Sequence, residues 1–281
     1  MPILYVVATP IGNLEDITLR ALRVLRESGL IAAEDTRTTR RLLQRYGVQT
    51  PLTSYHEHNK LSKLPTLLDA LREKDVALVS DAGMPGINDP GYELVDAALQ
   101  AGIRVVPVPG ASAITAALAV AGVTADQFVY LGFLPRRRAA RKRLLESLNA
   151  EGRAIVAFEA PHRLRSALTD LDETLGERRI AVCRELTKLH EEVFRGTASE
   201  ALQYFVEPRG EFTLVIEGGA KANAPAPGPS DEARSLAARF RADGLGSKKS
   251  VSQLMKETGL TRREAYRLWL ESAGSRAPQV D

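Results

Sequence analysis

Short apolar runs alternate with segments of helical periodicity through residues 1–120. The runs are rich in Val, Ile, Leu and Ala, and they predict strands over Leu4–Ala8, Leu30–Ala33, Val76–Ser80 and Val105–Val108. The segments between the runs predict helices over Ile17–Glu27, Thr38–Tyr46, Lys60–Arg72 and Tyr92–Gln100. Because such alternation is typical of a mainly parallel sheet covered by helices, residues 1–120 are predicted to form an α/β domain.

Two of the predicted helices have features that bear on packing. The helix over Ile17–Glu27 carries large apolar side chains largely on one side, namely Leu19, Leu22, Val24 and Leu25. We expect that side to cover the sheet. The segment Ser112–Val120 is small and apolar and predicts a helix packed closely against the sheet, with N-terminal amides free to hold part of a ligand.

A second α/β pattern occupies residues 121–219. It predicts strands over Phe128–Phe133, Ala154–Glu159, Ile180–Arg184, Glu192–Gly196 and Phe212–Glu217. The third and fourth of these strands are separated by a short connection, which favours antiparallel pairing and therefore a mixed sheet. Two α/β domains in one chain are expected to enclose a cleft.

The end of the chain differs in composition. Residues 220–230 are rich in Pro and Ala without apolar periodicity, which predicts a linker. Residues 231–281 predict a small helical domain with helices over Asp231–Ala242, Val251–Glu257 and Thr261–Glu271. The glycine turn before the last helix is typical of a helix-turn-helix, whose basic side chains could contact nucleic acid or serve packing, so its role stays open.

Composition and charge narrow the class of protein. The chain has 281 residues, of which 44% are hydrophobic and 26% charged, and a net charge of +3. No apolar run is long enough to cross a bilayer, and the N-terminus lacks a charged leader, so we predict a cytoplasmic protein without a membrane segment. The sole cysteine, Cys183, has apolar neighbours and is expected to be a buried residue rather than a nucleophile.

Two turn-rich loops carry the strongest signal for a ligand. Ser80–Gly91 follows one predicted strand and is rich in Gly, Pro, Asp and Asn, and Pro109–Ala113 follows another. Alone, either loop would be read as a surface turn. Because ligands of open α/β sheets gather at the carboxyl ends of strands, the two loops together predict a shared site.

Several ordered blocks of sequence resemble the ribosomal RNA small subunit methyltransferase I family. They are Leu4–Ile17, Ala33–Arg37, Ser54–Asn59, Ser80–Gly91, Pro107–Ala113, Gly132–Pro135 and Phe158–Arg163. The resemblance implies a tetrapyrrole-methylase-like fold of two α/β domains with S-adenosylmethionine bound in the cleft. It further implies 2'-O-methylation of a cytidine in the decoding region of 16S rRNA and a homodimer. In-line transfer of a methyl group requires no metal ion, so we expect none.

Two departures from the wider pattern are visible. Tetrapyrrole methylases usually carry a Gly-x-Gly-Pro-Gly turn after the first strand, where this chain has Thr9–Asn13. This replacement is typical of the rRNA branch and weakens the alternative of a porphyrinoid substrate. Ala160 stands where relatives often have serine, which has little consequence for function.

The resemblance also nominates residues for the cofactor. Asp81, Ala82, Gly83 and Met84 would line one side of the site, Ser112 and Ala113 the other, and Pro10 the floor, with Phe158, Glu159 and Thr213 from the second domain. Asp81 could instead shape the turn, Ser112 could serve as a helix cap, and Phe158 fits a core position as well as an adenine slot.

Methyl transfer requires a group that removes a proton from the acceptor. His56 and Asp35 are the candidate catalytic residues, with Glu34 and Glu57 as further proton acceptors. Asp35 could instead cap the next helix or pair with Arg37, and His56 could stack or bind a phosphate. The His56-Glu57-His58 segment lacks the further spaced ligands that a metal site needs.

Two arginine-rich segments are candidate RNA surfaces, because guanidinium groups make bidentate contacts to phosphate. The nominated residues are Arg37, Arg40 and Arg41, and then Arg136, Arg137 and Arg138, with Arg141 to Arg143 continuing the second run. Either run could simply be a solvated face. Two further hypotheses stay open for the whole protein: a tetrapyrrole methyltransferase, and a nucleic-acid-binding protein without catalytic activity.

Overall fold

The structure is a computed structural model that describes residues 2–219 and 231–272. The chain divides into two compact units, Met1–Gly219 and Ala220–Asp281. The first unit holds two five-stranded sheets. The linker predicted over residues 220–230 lies outside the described residues.

The first sheet is parallel throughout, as the alternating pattern predicted. Its strands are β1 (Ile3–Val7), β2 (Leu30–Ala33), β3 (Leu52–Ser54), β4 (Val76–Val79) and β5 (Arg104–Val108), in the order β3-β2-β4-β1-β5. The sequence analysis missed β3, which is an edge strand of three residues and too short to show a period.

Helices cover both faces of this sheet. They are α1 (Leu19–Glu27), α2 (Thr36–Arg45), α3 (Lys60–Glu73) and α4 (Tyr92–Gln100), followed by α5 (Ala113–Val120). On one face, Leu25 of α1 and Leu43 of α2 pack against Val7 and Val79. On the other, Leu71 of α3 packs in the same cluster as strand residues. Burial on both faces explains why the strands read as continuous apolar runs.

The prediction for one side chain of α1 is wrong. Leu22, Val24 and Leu25 are buried as expected, but Leu19 is 86% exposed. The helix begins at Leu19, and at about 3.6 residues per turn this position falls on the far side of the helix from Ala21 and Leu25.

The second sheet is mixed, as predicted. Its strands are β6 (Phe128–Phe133), β7 (Ala154–Glu159), β8 (Ile180–Arg184), β9 (Glu192–Gly196) and β10 (Phe212–Ile216), in the order β6-β7-β10-β8-β9. β6 and β7 are parallel, and the other pairs, including β8 with β9, are antiparallel. The accompanying helices are α6 (Arg138–Ser147), α7 (Pro161–Leu175) and α8 (Ala198–Tyr204).

Helix α5 connects the two sheets physically. It follows the last strand of the first sheet, yet Ala117 and Ala121 belong to one buried cluster with Val156 and Val215 of the second sheet. The guanidinium Nε of Arg195 on β9 donates to the carbonyl oxygen of Val120 at 3.0 Å, which fixes the end of the helix. A cleft between the sheets is therefore bounded by a helix that both share.

The second unit contains α9 (Asp231–Ala242), α10 (Ser247–Thr258) and α11 (Arg262–Glu271). α10 begins earlier than predicted, because its first turn is polar and adds nothing to the apolar period. Gly259 ends it with a φ of +69°, as expected for the turn of a helix-turn-helix. Ala237, Leu254 and Leu268 are buried where the three helices meet. Within the described ranges, no helix is long and apolar enough to span a membrane.

Candidate active site

A cavity of about 390 Å³ lies where the loops at the carboxyl ends of the first sheet meet the second sheet. A volume of this order is typical of a small-molecule site. The first half of the unit contributes Ile11, Glu34, Asp81–Met84, Ile87–Asp89 and Ser112–Ile114. The second half contributes Phe133, Phe158–Pro161, Cys183, Leu186 and Gly210–Thr213.

The loop after β4 is held by the loop after β1. The backbone N–H of Thr9 donates to the Gly83 carbonyl at 2.9 Å, and the N–H of Gly83 donates to the Thr9 carbonyl at 3.1 Å. The Thr9 hydroxyl also donates to the Ser80 carbonyl at 3.0 Å. The φ of Gly83 is +78°, a conformation that favours glycine. These bonds fix the backbone that lines the first side of the cavity.

The same loop is fastened to the second sheet through Asn88. The Asn88 side-chain amide donates to the Tyr130 hydroxyl. β6 has a register irregularity between Tyr130 and Phe133, where Gly132 has a φ of +68°. A Cβ added to Gly132 would lie 2.8 Å from Asn88 Oδ1, so the glycine leaves the room that the asparagine occupies. Residues of both sheets thus form one wall of the cavity.

Most of the residues nominated for the cofactor come together in this cavity. Asp81, Ala82, Gly83, Met84, Ser112, Ala113, Phe158, Glu159 and Thr213 all line it. Pro10 is buried and is not among the lining residues, and the neighbouring Ile11 lines the cavity instead.

Two of these residues have alternative roles that the structure clarifies. Ser112 is the N-cap position of α5 but makes no side-chain capping bond, so the first amides of this helix lack that partner. Phe158 lines the cavity and also packs edge-on against Tyr130 and Phe133, with ring centroids 5.4 and 5.6 Å away. It therefore combines the core and cavity positions that the sequence offered as alternatives.

Glu159 carries a polar atom without a partner inside the cavity wall. The residue is 1% exposed, and its Oε1 accepts bonds from the Ala160 N–H at 2.8 Å and from Arg163 at 2.5 Å. Its Oε2 is buried and has no hydrogen-bond partner among the described residues. Burial raises the pKa of Glu159 above its usual value, against the backbone N–H of Ala160 and the charge of Arg163. A buried acceptor left open at a cavity is a position for a ligand donor.

Carboxylates from β2 and β4 are linked reciprocally. The N–H of Asp81 donates to Glu34 Oε2 at 3.2 Å, and the N–H of Asp35 donates to Asp81 Oδ1 at 3.1 Å. Burial raises the pKa of both Glu34 and Asp81. Asp35 differs, because hydrogen bonds from Arg37 lower its pKa to about 2. Asp35 therefore serves as the cap of α2 and the partner of Arg37, and it does not line the cavity.

Asp89 is a cavity residue that the sequence reasoning did not single out. Burial, followed by the negative charge of Glu34, raises its pKa to about 6. The signal was available, because Asp89 lies in the turn-rich loop Ser80–Gly91 that predicted the site. That loop contains two aspartates, and the pattern alone did not distinguish them.

His56 follows β3 and does not line the cavity. Its N–H donates to Asn59 Oδ1 at 2.8 Å, and its ring meets His58 edge-on with centroids 6.1 Å apart. Its Nδ1 is buried without a hydrogen-bond partner among the described residues, and its charge lowers the pKa of Glu34. His56 therefore lies outside the cavity lining, and its catalytic role stays a prediction.

The two predicted basic surfaces differ in how free their side chains are. Arg40 and Arg41 are exposed on α2, while Arg37 pairs with Asp35 at 2.7 Å. In the second run Arg136 and Arg137 are exposed.

Two other arginines of the second run pair with carboxylates of α7. Arg138 pairs with Asp170 at 2.8 Å and with Glu173 at 3.1 Å, and Arg141, only 3% exposed, pairs with Asp170 at 2.7 Å. For Arg141 the expectation of a solvated RNA-facing side chain is wrong, because the side chain neutralises a buried carboxylate.

Cys183 is buried as expected, and burial raises the pKa of its thiol to about 11. Within the part of the chain that the structure describes, no group of three or more His, Cys, Asp or Glu side chains is arranged to hold a metal ion. The expectation that the protein works without a metal stays a prediction.

Comparison with known proteins decides the family. The chain is 50% identical over 278 residues to the Ribosomal RNA small subunit methyltransferase I of Synechocystis sp., an alignment that covers 96% of this chain and 98% of that protein. The chain belongs to the ribosomal RNA small subunit methyltransferase I family. It is therefore a methyltransferase, and residues 3–202 match the wider family of Tetrapyrrole (Corrin/Porphyrin) Methylases.

A second member of the family is shorter than this chain. The Ribosomal RNA small subunit methyltransferase I of Thermotoga maritima is 52% identical over 218 residues, which cover 98% of that protein but 76% of this chain. Among solved structures, uroporphyrin-III-C-methyltransferase from Thermus thermophilus shares the fold, with a TM-score of 0.54 at 22% identity over 79% of this chain and 96% of that one. The predicted tetrapyrrole-methylase fold is confirmed.

Proposed function

We propose that the protein transfers the methyl group of S-adenosylmethionine to the 2'-oxygen of a cytidine in the decoding region of 16S rRNA. The observation that carries the proposal is the cavity shared by the two sheets in a chain of this methyltransferase family. The unpartnered Glu159 Oε2 supports a ligand with a hydrogen-bond donor there. The names of the relatives support ribosomal RNA of the small subunit as the acceptor.

The cavity residues suit the chemistry of S-adenosylmethionine. This molecule carries a sulfonium, an ammonium and a carboxylate. Acidic side chains in the cavity wall, at Asp81 and Glu159, match its positive groups, and the amides at the start of α5 match its carboxylate. Phe158 offers an apolar surface for the adenine. When bound, the molecule supplies an electrophilic methyl group.

The acceptor is a large polyanion, which requires positive charge beside the cavity. The exposed arginines available for this role are Arg40 and Arg41 on α2, which begins two residues after the cavity residue Glu34, and Arg136 and Arg137, which follow the cavity residue Phe133 closely in sequence. We assign phosphate contacts to these four residues and not to Arg141. A homodimer, which the resemblance to the family implies, and a cytoplasmic location complete the proposal.

The test is methyl transfer to a defined acceptor. The protein is incubated with radiolabelled S-adenosylmethionine and small ribosomal subunits that lack the modification, and the rRNA is then digested and mapped by mass spectrometry. We expect one methyl group on the ribose of a decoding-region cytidine. Methylation of a base, or no transfer to the rRNA, would contradict the proposal.

Calorimetry tests the cofactor site independently of the acceptor. Asp81→Ala is expected to weaken binding of S-adenosylmethionine at least tenfold, since it removes a cavity carboxylate that also accepts the Asp35 N–H. Glu27→Ala on the exposed surface of α1 serves as control. If both variants bind S-adenosylmethionine with equal affinity, Asp81 does not contribute to the cofactor site.

A tetrapyrrole methyltransferase is the second candidate, favoured by the match to the wider family and by the shared fold. The same radiolabel assay with a porphyrinoid acceptor distinguishes the two. Transfer to the porphyrinoid without transfer to rRNA would establish this alternative.

A further inference from the structure

Transfer to a ribose hydroxyl needs a proton acceptor that faces the bound reactants. The sequence offers four candidates: His56, Asp35, Glu34 and Glu57. Of these four residues, Glu34 is the one found among the described residues that line the cavity. We propose, resting on the function proposed above, that Glu34 is the catalytic base that takes the proton of the 2'-hydroxyl.

The position of Glu34 is fixed by the residue proposed to hold the cofactor. It directly follows β2, beside the end of β4, and its Oε2 accepts the backbone N–H of Asp81 at 3.2 Å. In return, the N–H of Asp35 donates to Asp81 Oδ1 at 3.1 Å. The bond to Oε2 leaves Oε1 without a hydrogen-bond partner among the described residues. These two hydrogen bonds therefore position both carboxylates: that of Glu34, which would accept the proton, and that of Asp81, which would bind the methyl donor.

Electrostatics favour Glu34 over its neighbour in sequence. Burial raises the pKa of Glu34, the negative charges of Asp81 and Asp35 raise it further, and the Asp81 N–H and His56 oppose the rise. Asp89 also faces this group. A carboxylate of higher pKa is a better proton acceptor. Asp35, whose pKa is lowered to about 2 by Arg37, is a poor one.

The proposed step balances without any further reactant. The 2'-oxygen forms a bond to the methyl carbon while the bond from that carbon to sulfur breaks, and its electron pair stays on sulfur as a neutral thioether. The hydroxyl proton passes to the Glu34 carboxylate, and water takes it after product release. The net products are the methyl ether, the demethylated cofactor and one proton.

The test compares Glu34→Gln and Glu34→Asp with the parent protein. Single-turnover transfer to unmodified small subunits is measured between pH 6 and pH 9.5, and affinity for S-adenosylmethionine is measured by calorimetry. Gln keeps the oxygen that accepts the Asp81 N–H, so the fold and the cofactor site are retained. Glu27→Gln, on the exposed face of α1, is the matched control.

We expect E34Q to lose 10²- to 10⁴-fold in rate at pH 7.5, which is the usual contribution of a general base, with affinity for S-adenosylmethionine within threefold of the parent. Its rate should rise with pH in proportion to hydroxide, whereas the parent reaches a plateau. E34D, which keeps a carboxylate, should regain part of the rate and the plateau.

Three outcomes would overturn the proposal, and they are distinguishable. If the rate of E34Q is within fivefold of the parent rate, or if its pH–rate profile keeps the plateau, Glu34 does not accept the proton. Asp89→Asn is assayed in parallel, and a larger loss in this variant than in E34Q assigns the step to Asp89, another carboxyl of the cavity with a raised pKa. A parent protein that transfers no methyl group to the subunits overturns the proposed function as well.

Discussion

Gly132→Ala tests the contact that joins the loop after β4 to the second sheet. Gly132 has a φ of +68°, so an alanine there carries a left-handed backbone that costs about 1–2 kcal/mol. Its Cβ would lie 2.8 Å from Asn88 Oδ1, too close for the two groups to stay in place. The asparagine must move, and its bond to the Tyr130 hydroxyl, worth about 1 kcal/mol, is lost. The expected total is about 2–3 kcal/mol.

Gly102→Ala is a matched control for the backbone cost. Gly102 has a φ of +70° in the turn after α4, and an added Cβ meets nothing within 4 Å. This variant should lose about 1–2 kcal/mol and leave the cavity intact. The difference of about 1 kcal/mol between the two variants measures the Asn88 contact, and it corresponds to about 2–4 °C in melting temperature for a unit of this size.

Thermal unfolding and cofactor calorimetry provide the assays. Gly132→Ala should also weaken binding of S-adenosylmethionine several-fold, because Asn88 and Phe133 line the cavity, while Gly102→Ala should not. Adding Asn88→Gly removes the crowding group, so the Gly132→Ala step should then cost no more than Gly102→Ala. Equal losses of stability for the two alanine variants in the parent background would refute the reasoning.

Three further predictions concern buried ionisable groups. Asp170→Ala should destabilise the protein by about 3–5 kcal/mol in denaturant unfolding, because it leaves the buried Arg141 unpaired, and the exposed Asp69→Ala should change little. Asp89→Asn should raise the melting temperature at pH 8 but not at pH 4. Burial, and then the charge of Glu34, raise the pKa of Asp89 to about 6. The parent protein therefore loses stability as Asp89 ionises between about pH 4 and pH 6, and the variant does not. Cys183 should resist thiol reagents in the native protein and react after unfolding, since it is buried and its pKa is raised to about 11; rapid native labelling would contradict this.

The apolar pattern predicted most of the fold because the central strands are buried runs of apolar residues, as in β4, β7 and β10. β2 and β6 have the bounds that the pattern predicted, and the mixed pairing in the second half followed from the short connection between β8 and β9. The pattern did not predict β3 because three residues at a sheet edge are too few to show an apolar period. Leu19 was misplaced because a pattern fixes the phase of a helix poorly at its first residue.

The sequence predicted where the candidate site lies better than it predicted what each residue does there. Both turn-rich loops do line one cavity, and the nominated cofactor residues other than Pro10 line it as well. What the sequence could not provide is the partner of each charge. Arg141 belongs to a run of basic residues that looks solvated, yet Asp170 lies far away in sequence and holds it in the interior.

Glu34 and Asp35 show why chemistry at the end of a strand requires the structure. They are adjacent carboxylates, and the sequence analysis names Asp35 as a candidate catalytic residue and Glu34 only as a further proton acceptor. Successive side chains along a strand point to opposite faces of the sheet, so neighbouring residues at its end have different surroundings. Asp35 caps α2 and is held by Arg37, while Glu34 lines the cavity and accepts the N–H of Asp81. Because the N–H of Asp35 binds the Asp81 carboxylate, the residue that is excluded from the cavity still positions one that lines it. Asp35→Asn should therefore weaken cofactor binding less than Asp81→Ala, whereas an equal loss would place Asp35 itself in the site.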